Sequence, residues 1–325
     1  MVLVPTMSST NTENFYESFI CLSTLTAHDA SVYAIAISAD GHFFYSWSLD
    51  GVLKQWSLPT GHLLNSFAGL GGINSFILTP DGQNLITTSW DEPVQKFDLS
   101  MGLKSPFLVT ADGQAEIASA LALSPEGERL ATASWDGRLK IWSLATGNCL
   151  GSWGGHQADI NGLTFSADGQ YLISASWDGT LRCWDLALGT CIQVLKSHSQ
   201  QFERVAIAAN GKYIAASSKQ KALTLWDVQR GKCLKTLRGH GKELVAVWIE
   251  PTGQTLITAS WDGSIRFWRL PSGKCYHQLR EHQGRIWTMA MSFDGSYLVS
   301  GGQDKCIKIW GRNNEGNICA QAMLD

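Results

Sequence analysis

Apolar and polar positions along most of this chain alternate in short runs broken by glycine-bearing turns. Residues 160–195 show the unit: INGLTFS, then QYLISAS, TLRCWDL and TCIQVL, each rich in β-branched or aromatic side chains. Period-two alternation over a few residues, bounded by turn residues, predicts strands, and no stretch carries the 3.6-residue period of a helix. The unit recurs. Trp142, Trp184, Trp226, Trp268 and Trp310 are spaced by 42 residues, and Trp56 and Phe97 extend the series backward with steps of 41 and 45. Fifteen residues before each of these aromatics stands a glycine: Gly41, Gly82, Gly127, Gly169, Gly211, Gly253 and Gly295. Most follow Asp, Glu or Asn, the pairs that supply positive φ to hairpin turns. Seven units of four short antiparallel strands are expected.

Four-stranded units at this period are the sequence sign of a β-propeller. The strings GHQADINGLTFSADGQYLISASWDGTLRCWD and SHSQQFERVAIAANGKYIAASSKQKALTLWD carry a closer likeness. They resemble WD-repeat units, and the resemblance runs over about residues 20–312. It implies an all-β, seven-bladed propeller of four-stranded antiparallel blades. Closing the ring removes the exposed edges of the end blades. FICLSTL (19–25) precedes TAH as GKCLKTL precedes RGH, and Cys21 stands as far from His28 as Cys191 from His198. The N-terminal strand is therefore expected to complete the last blade beside CIKIW (306–310). NICAQAM (317–323) is a spare copy. The organisation expected is a mobile arm over 1–18, a propeller over 19–312 and a tail over 313–325.

The resemblance also implies a structural hydrogen-bonded tetrad in each regular blade, Asp orienting His, His bonding Ser or Thr, and that hydroxyl bonding an indole N–H. Four complete sets are present: His28, Ser46, Asp50, Trp56; His156, Ser174, Asp178, Trp184; His240, Thr258, Asp262, Trp268; and His282, Ser300, Asp304, Trp310. Ser, His and Asp also spell a hydrolase triad. A nucleophile needs an open face and an oxyanion hole, whereas four copies each capped by an indole suit a buried network. Three units depart from the pattern. The second has Phe97 and GLGG (69–72), the third Gln114 at the His position, and the fifth Ala216 and Gln220 for the hydroxyl and the acid. Their loops are expected to be held less firmly.

A second set of indoles, Trp90, Trp135, Trp177 and Trp261, stands directly before the turn aspartates. In WD-repeat propellers that position lies on the upper face around the central channel. So does the residue after the first apolar position of the innermost strand, here Tyr33, Glu203 and Trp287 among others. The partner-binding surface expected is Tyr33, Trp90, Trp135, Trp177, Trp261 and Trp287, with Arg285 and Glu203 adding charge. Indoles bury much area for two frozen torsions and dominate interface hot spots. The competing expectation is that the rings lie flat against their neighbours.

Composition narrows the function. With 16% charged residues and a net charge of −3, nothing points to a phosphate-tracking surface. The cations two residues before the core tryptophans, Lys54, Lys140, Arg182, Arg266 and Lys308, follow the repeat and are expected on a solvated rim or packed through their alkyl stems. No C-x-x-C pair and no metal-ligand spacing of histidines occurs, so no metal or cofactor is expected. Of eight cysteines, Cys149, Cys191, Cys233 and Cys275 recur at a fixed step, and the set reads as free thiols in a reducing, cytoplasmic setting. The reading is a non-catalytic scaffold, monomeric on its own, binding other proteins or peptides through the aromatic face, with no nucleic acid and no membrane insertion. The alternative is a small-ligand, glycan or modified-peptide site built from the same tryptophans.

Overall fold

The computed structural model describes residues 15–69, 71–89, 92–110, 113–197 and 201–312. Twenty-eight strands, β1–β28 in chain order, make seven four-stranded antiparallel sheets. In blade four the order is β14 (Ile160–Phe165), β15 (Tyr171–Ser176), β16 (Thr180–Asp185) and β17 (Thr190–Lys196), innermost first. The innermost strands touch their neighbours around the ring, and the circle closes where β26 (Ile286–Met291) meets β2 (Val32–Ile37). Apart from a 3-10 turn over Tyr16–Ser18, the described chain contains no helix.

Closure is by the N-terminus. β1 (Phe19–Thr26) pairs with β28 (Cys306–Arg312), with Phe19 opposite Arg312 and Thr26 opposite Cys306. The spare copy at 317–323 lies outside the described residues. One boundary moves. Phe15–Ser18, expected in the mobile arm, is packed structure, because Tyr16 is 4% exposed and sits beside Phe19 and Phe267. Burying an aromatic of this size outweighs the cost of ordering a short segment. Residues 1–14 lie outside the described residues.

There is no single core. Seven apolar clusters lie one to each junction between blades, such as Leu181, Leu195, Phe202 and Trp226 between blades four and five. Strands alternate their side chains across the blade, so each blade is apolar on both faces and is complete only between two neighbours. The inner junction between blades four and five is tight. A Cβ on Gly162 would fall 2.8 Å from the Glu203 carbonyl oxygen on β18 (Phe202–Ile207).

Candidate functional site

Turns between the first and second strands, and between the third and fourth, lie at one end of every blade; the other turns lie at the opposite, upper end. The four expected tetrads sit at the upper end with the same geometry. In blade four, Asp178 Oδ2 is 2.8 Å from His156 Nδ1, and His156 Nε2 is 2.7 Å from Ser174 Oγ. Trp184 donates to that oxygen at 2.9 Å. The corresponding three distances are 2.9, 2.9 and 2.8 Å for His28, Ser46, Asp50 and Trp56. They are 3.0, 2.8 and 2.9 Å for His240, Thr258, Asp262 and Trp268, and 2.9, 2.8 and 2.8 Å for His282, Ser300, Asp304 and Trp310.

One proton assignment satisfies each chain. The indole donates to the hydroxyl oxygen, the hydroxyl donates to a neutral imidazole Nε2, and Nδ1–H donates to the carboxylate. Burial would raise the Asp178 and Asp262 carboxyls. Bonds from the histidine, from Thr180 or Ser264, and from the N–H of Gln157 or Gly241 outweigh it and hold both well below the usual carboxylate range. Burial lowers the His28 imidazole, against the pull of Asp50. The hydroxyl of each set lies beneath an indole and is fully buried. No substrate reaches it, so the set is a strut for the upper loops.

Two departing blades rebuild the indole bond with other residues. In blade three, Glu116 takes the role of His. It is 5% exposed, accepts from Thr132 Oγ1 at 3.0 Å and is paired with Lys140, while Trp142 donates to Thr132 at 2.9 Å. Gln114, at the His position by spacing, plays no part in that chain of bonds. In blade five the hydroxyl crosses the ladder. Ala216 pairs with Thr224, and Trp226 donates to Thr224 Oγ1 at 2.9 Å. Thr224 occupies the slot that holds Lys54, Lys140, Arg182, Arg266 or Lys308 in other units. The first four of those cations lie 5.7–6.0 Å from the core indole centroids, and Lys308 is 6% exposed; they pack against the network rather than standing free on a rim.

Inside this frame lies the channel mouth. A cavity of about 530 Å³ is lined by Tyr33, Trp135, Trp177, Trp261, Trp287 and Glu203. Two local devices aim these side chains. The innermost strands bulge at Tyr33, Asn161, Glu203, Val245 and Trp287, each left over between two paired residues. A bulge frees one residue from the pleat and turns it. The turn indoles are fixed from the backbone, Trp177 N–H donating to the Asp159 carbonyl and Trp261 N–H to the Glu243 carbonyl, both at 2.9 Å. Trp90 lies outside the described residues.

The rings are neither free in water nor tucked away. Tyr33 stacks on Trp287 at 4.6 Å and 18°, and Trp261 meets Trp287 edge-on at 5.1 Å and 66°. Arg285 lies over both indoles, 4.9 Å from Trp261 and 5.9 Å from Trp287, and Lys219 lies 4.3 Å over Trp177. Trp135, Trp177, Trp261, Trp287 and Tyr33 are all half-buried. The ring nitrogens of Trp177, Trp261 and Trp287 are shielded from solvent and find no acceptor among the described residues.

Three residues of the upper end escaped the sequence reading. Leu49, 58% exposed, stands directly before Asp50 in the slot of the turn indoles, so the repeat alone marked it. Ile117, 40% exposed, precedes the first apolar residue of its inner strand, where Arg285 stands in blade seven. Arg204 has no counterpart. From within the channel its guanidinium donates to the carbonyls of Asn161 at 2.9 Å and Val245 at 3.2 Å, tying three inner strands through two bulge residues.

Known proteins match in pieces. U3 small nucleolar RNA-associated protein 21 homolog of Schizosaccharomyces pombe is 34% identical over 68 residues, 21% of this chain and 8% of that protein. Transducin beta-like protein 3 of Homo sapiens is 26% identical over 132 residues, 40% of this chain and 12% of that protein. Autophagy-related protein 16 of Arabidopsis thaliana is 26% identical over 117 residues, 35% of this chain and 23% of that protein. The chain thus spans less than a quarter of each relative's length. Its last full repeat, residues 273–311, matches the WD domain, G-beta repeat model. The model of the IFT122 first beta-propeller matches residues 7–269, most of the chain, and with the seven-bladed fold this places the protein in that WD-repeat propeller family.

Proposed function

We propose that this propeller is a non-catalytic scaffold that captures an extended peptide segment of another protein at its aromatic mouth. WD-repeat propellers generally bind other proteins. The observation that carries the reading is the convergence of Tyr33, Trp135, Trp177, Trp261 and Trp287 on one cavity of about 530 Å³. Half-buried rings that still present edge or face to solvent gain area when a partner covers them. The unpaired indole donors support it too. Each unmet buried donor costs about 1–3 kcal/mol, and a peptide carbonyl reached by a small ring rotation relieves that cost. Seven described cysteines are free thiols, which supports a cytoplasmic setting.

An ammonium or methyl-lysine ligand is the weaker reading, because the protein's own Arg285 and Lys219 already cover the indole faces that such a cation would use. The test is affinity purification of the intact chain beside the variant Trp135→Ala, Trp177→Ala, Trp261→Ala. Partners of the parent are lost by the variant while its melting transition survives. An unchanged partner set from the folded variant removes the mouth as the binding site. A methyl-lysine peptide array scores the second reading directly.

A further inference from the structure

The net charge of −3 conceals a strong asymmetry. Residues 204–285 hold 14 of the 25 basic side chains and five of the 28 acidic ones. The propeller turns this stretch into blades five and six, and much of its charge collects at the lower end. In five blades the residue directly before the glycine of the lower turn between the first two strands is an acid: Asp40, Asp81, Glu126, Asp168 and Asp294. Blades five and six have Asn210 and Thr252 there instead. In the turns between third and fourth strands, the residue after the glycine is Lys232 in blade five and Lys274 in blade six. It is His62, Leu103, Asn148 or Thr190 in blades one to four. At these exposed turn positions two adjacent blades lack the acid and gain a cation, and the carboxylate that blade six keeps in its lower turn, Glu250, is buried.

These side chains stand at the surface. Lys212, Arg230, Lys232, Lys235, Arg269 and Lys274 are all exposed. Arg230 is paired with Asp227 at 3.8 Å and Arg269 with Glu17 at 3.7 Å. The surface is continuous across blades. Gln193 of blade four donates to the Val228 carbonyl at 2.9 Å, and Lys235 donates to the Ser272 carbonyl of blade six at 2.6 Å. Between blades five and six, Lys212, Arg230, Leu234, Lys235 and Pro271 line a groove of about 430 Å³. Apolar side chains stand at both flanks, Leu188 on blade four at 69% exposed and Phe293 on blade seven at 59%.

We propose that the lower edge of blades five and six, flanked by Leu188 and Phe293, adsorbs the protein to an anionic lipid surface. Lysines and arginines within a Debye length of an acidic leaflet are drawn to it, and exposed leucine and phenylalanine gain by entering the headgroup layer. A nucleic-acid backbone rewards the cations but not the apolar flanks. No described helix is long and apolar enough to cross a membrane, so contact is by adsorption. The site is at the opposite end from the aromatic mouth and does not depend on it.

The full chain is sedimented with vesicles of phosphatidylcholine alone and with vesicles containing about 30% phosphatidylserine. It pellets with the second and stays in solution with the first. The variant Lys212→Glu, Arg230→Glu, Lys232→Glu, Lys274→Glu loses roughly 600-fold or more in partition coefficient, at about fivefold for each of the four positive charges removed. Leu188→Ser with Phe293→Ser loses roughly tenfold. If the charge-reversed chain does not fold, the unaltered chain still decides, because salt at about 0.5 M must release it from the acidic vesicles. Equal pelleting with both vesicle types, salt-resistant pelleting, retention by the folded reversed variant, or tighter binding to an RNA duplex than to acidic vesicles overturns the proposal.

Discussion

Blade five offers the sharpest test of how the indole struts work. Trp226 is 3% exposed, and its ring N–H has Thr224 Oγ1 as acceptor at 2.9 Å. Thr224→Val replaces the hydroxyl by a methyl of the same shape, so packing is kept and the donor is stranded. An unsatisfied buried donor costs about 1–3 kcal/mol, and that is the expected destabilisation. The ladder then predicts a rescue. Ala216 lies directly opposite Thr224, as Ser174 lies opposite Arg182 in blade four, where the serine is the indole's acceptor. Adding Ala216→Ser to Thr224→Val returns an oxygen to the position it holds in the regular blades and restores most of the loss. The assay is guanidinium denaturation followed by tryptophan fluorescence and far-ultraviolet circular dichroism, reading midpoints at unchanged slope. The reasoning fails if Thr224→Val costs less than about 0.5 kcal/mol. It also fails if Ala216→Ser deepens the loss, as overpacking would.

Glu116→Leu leaves Lys140 and the Thr132 hydroxyl without their carboxylate and is expected to cost about 3 kcal/mol, more than Lys140→Met, in the same denaturation assay. Acid weakens the fold in two stages, seen as a falling melting temperature. His28 has its imidazole lowered from 6.5, so its contribution is whole above that pH and is lost as pH falls through the lower folded value. Asp178 and Asp262 are lowered from 3.8, so theirs is lost only below about pH 4; His28→Gln removes the first stage and leaves the second. Gly162→Ala drives a methyl to 2.8 Å from the Glu203 carbonyl oxygen and 3.2 Å from the Arg204 Cα, both fixed backbone, and is expected to destabilise by about 1–3 kcal/mol. A melting temperature equal to the parent's would show that the inner strands of blades four and five are free to move apart.

The spacing of one aromatic every 42 residues settled most of what the chain would build. It marked the strands and the seven units, the Cys21–His28 spacing marked the N-terminal closure, and the likeness to WD-repeat units implied the four regular tetrads, because a residue's place within a repeat fixes its place within a blade. The likeness to WD-repeat units, not the spacing, implied that Tyr33, Trp135, Trp177, Trp261 and Trp287 ring one mouth. The same logic failed where a loop changed length or a role moved across a ladder. Counting back from Trp142 lands on Gln114, whereas the longer loop of blade three delivers Glu116. Comparing like positions finds Ala216 wanting, whereas the needed oxygen stands on the facing strand at Thr224.

What the sequence determined alone is positional, the architecture and the ring of residues that each end of it presents. What only the tertiary structure decided is how those residues are spent. Whether an indole is wet depends on the cation that the next blade lays over it, as Lys219 does for Trp177 and Arg285 for Trp261. The basic excess of residues 204–285 is legible in the sequence, but that its turns share one lower edge, away from the mouth, is decided by the blades. The physical reason is common to both. Repeat period reports the contacts within a blade, while burial, pairing and field arise between blades, from faces about forty residues apart that share no pattern until the ring is closed.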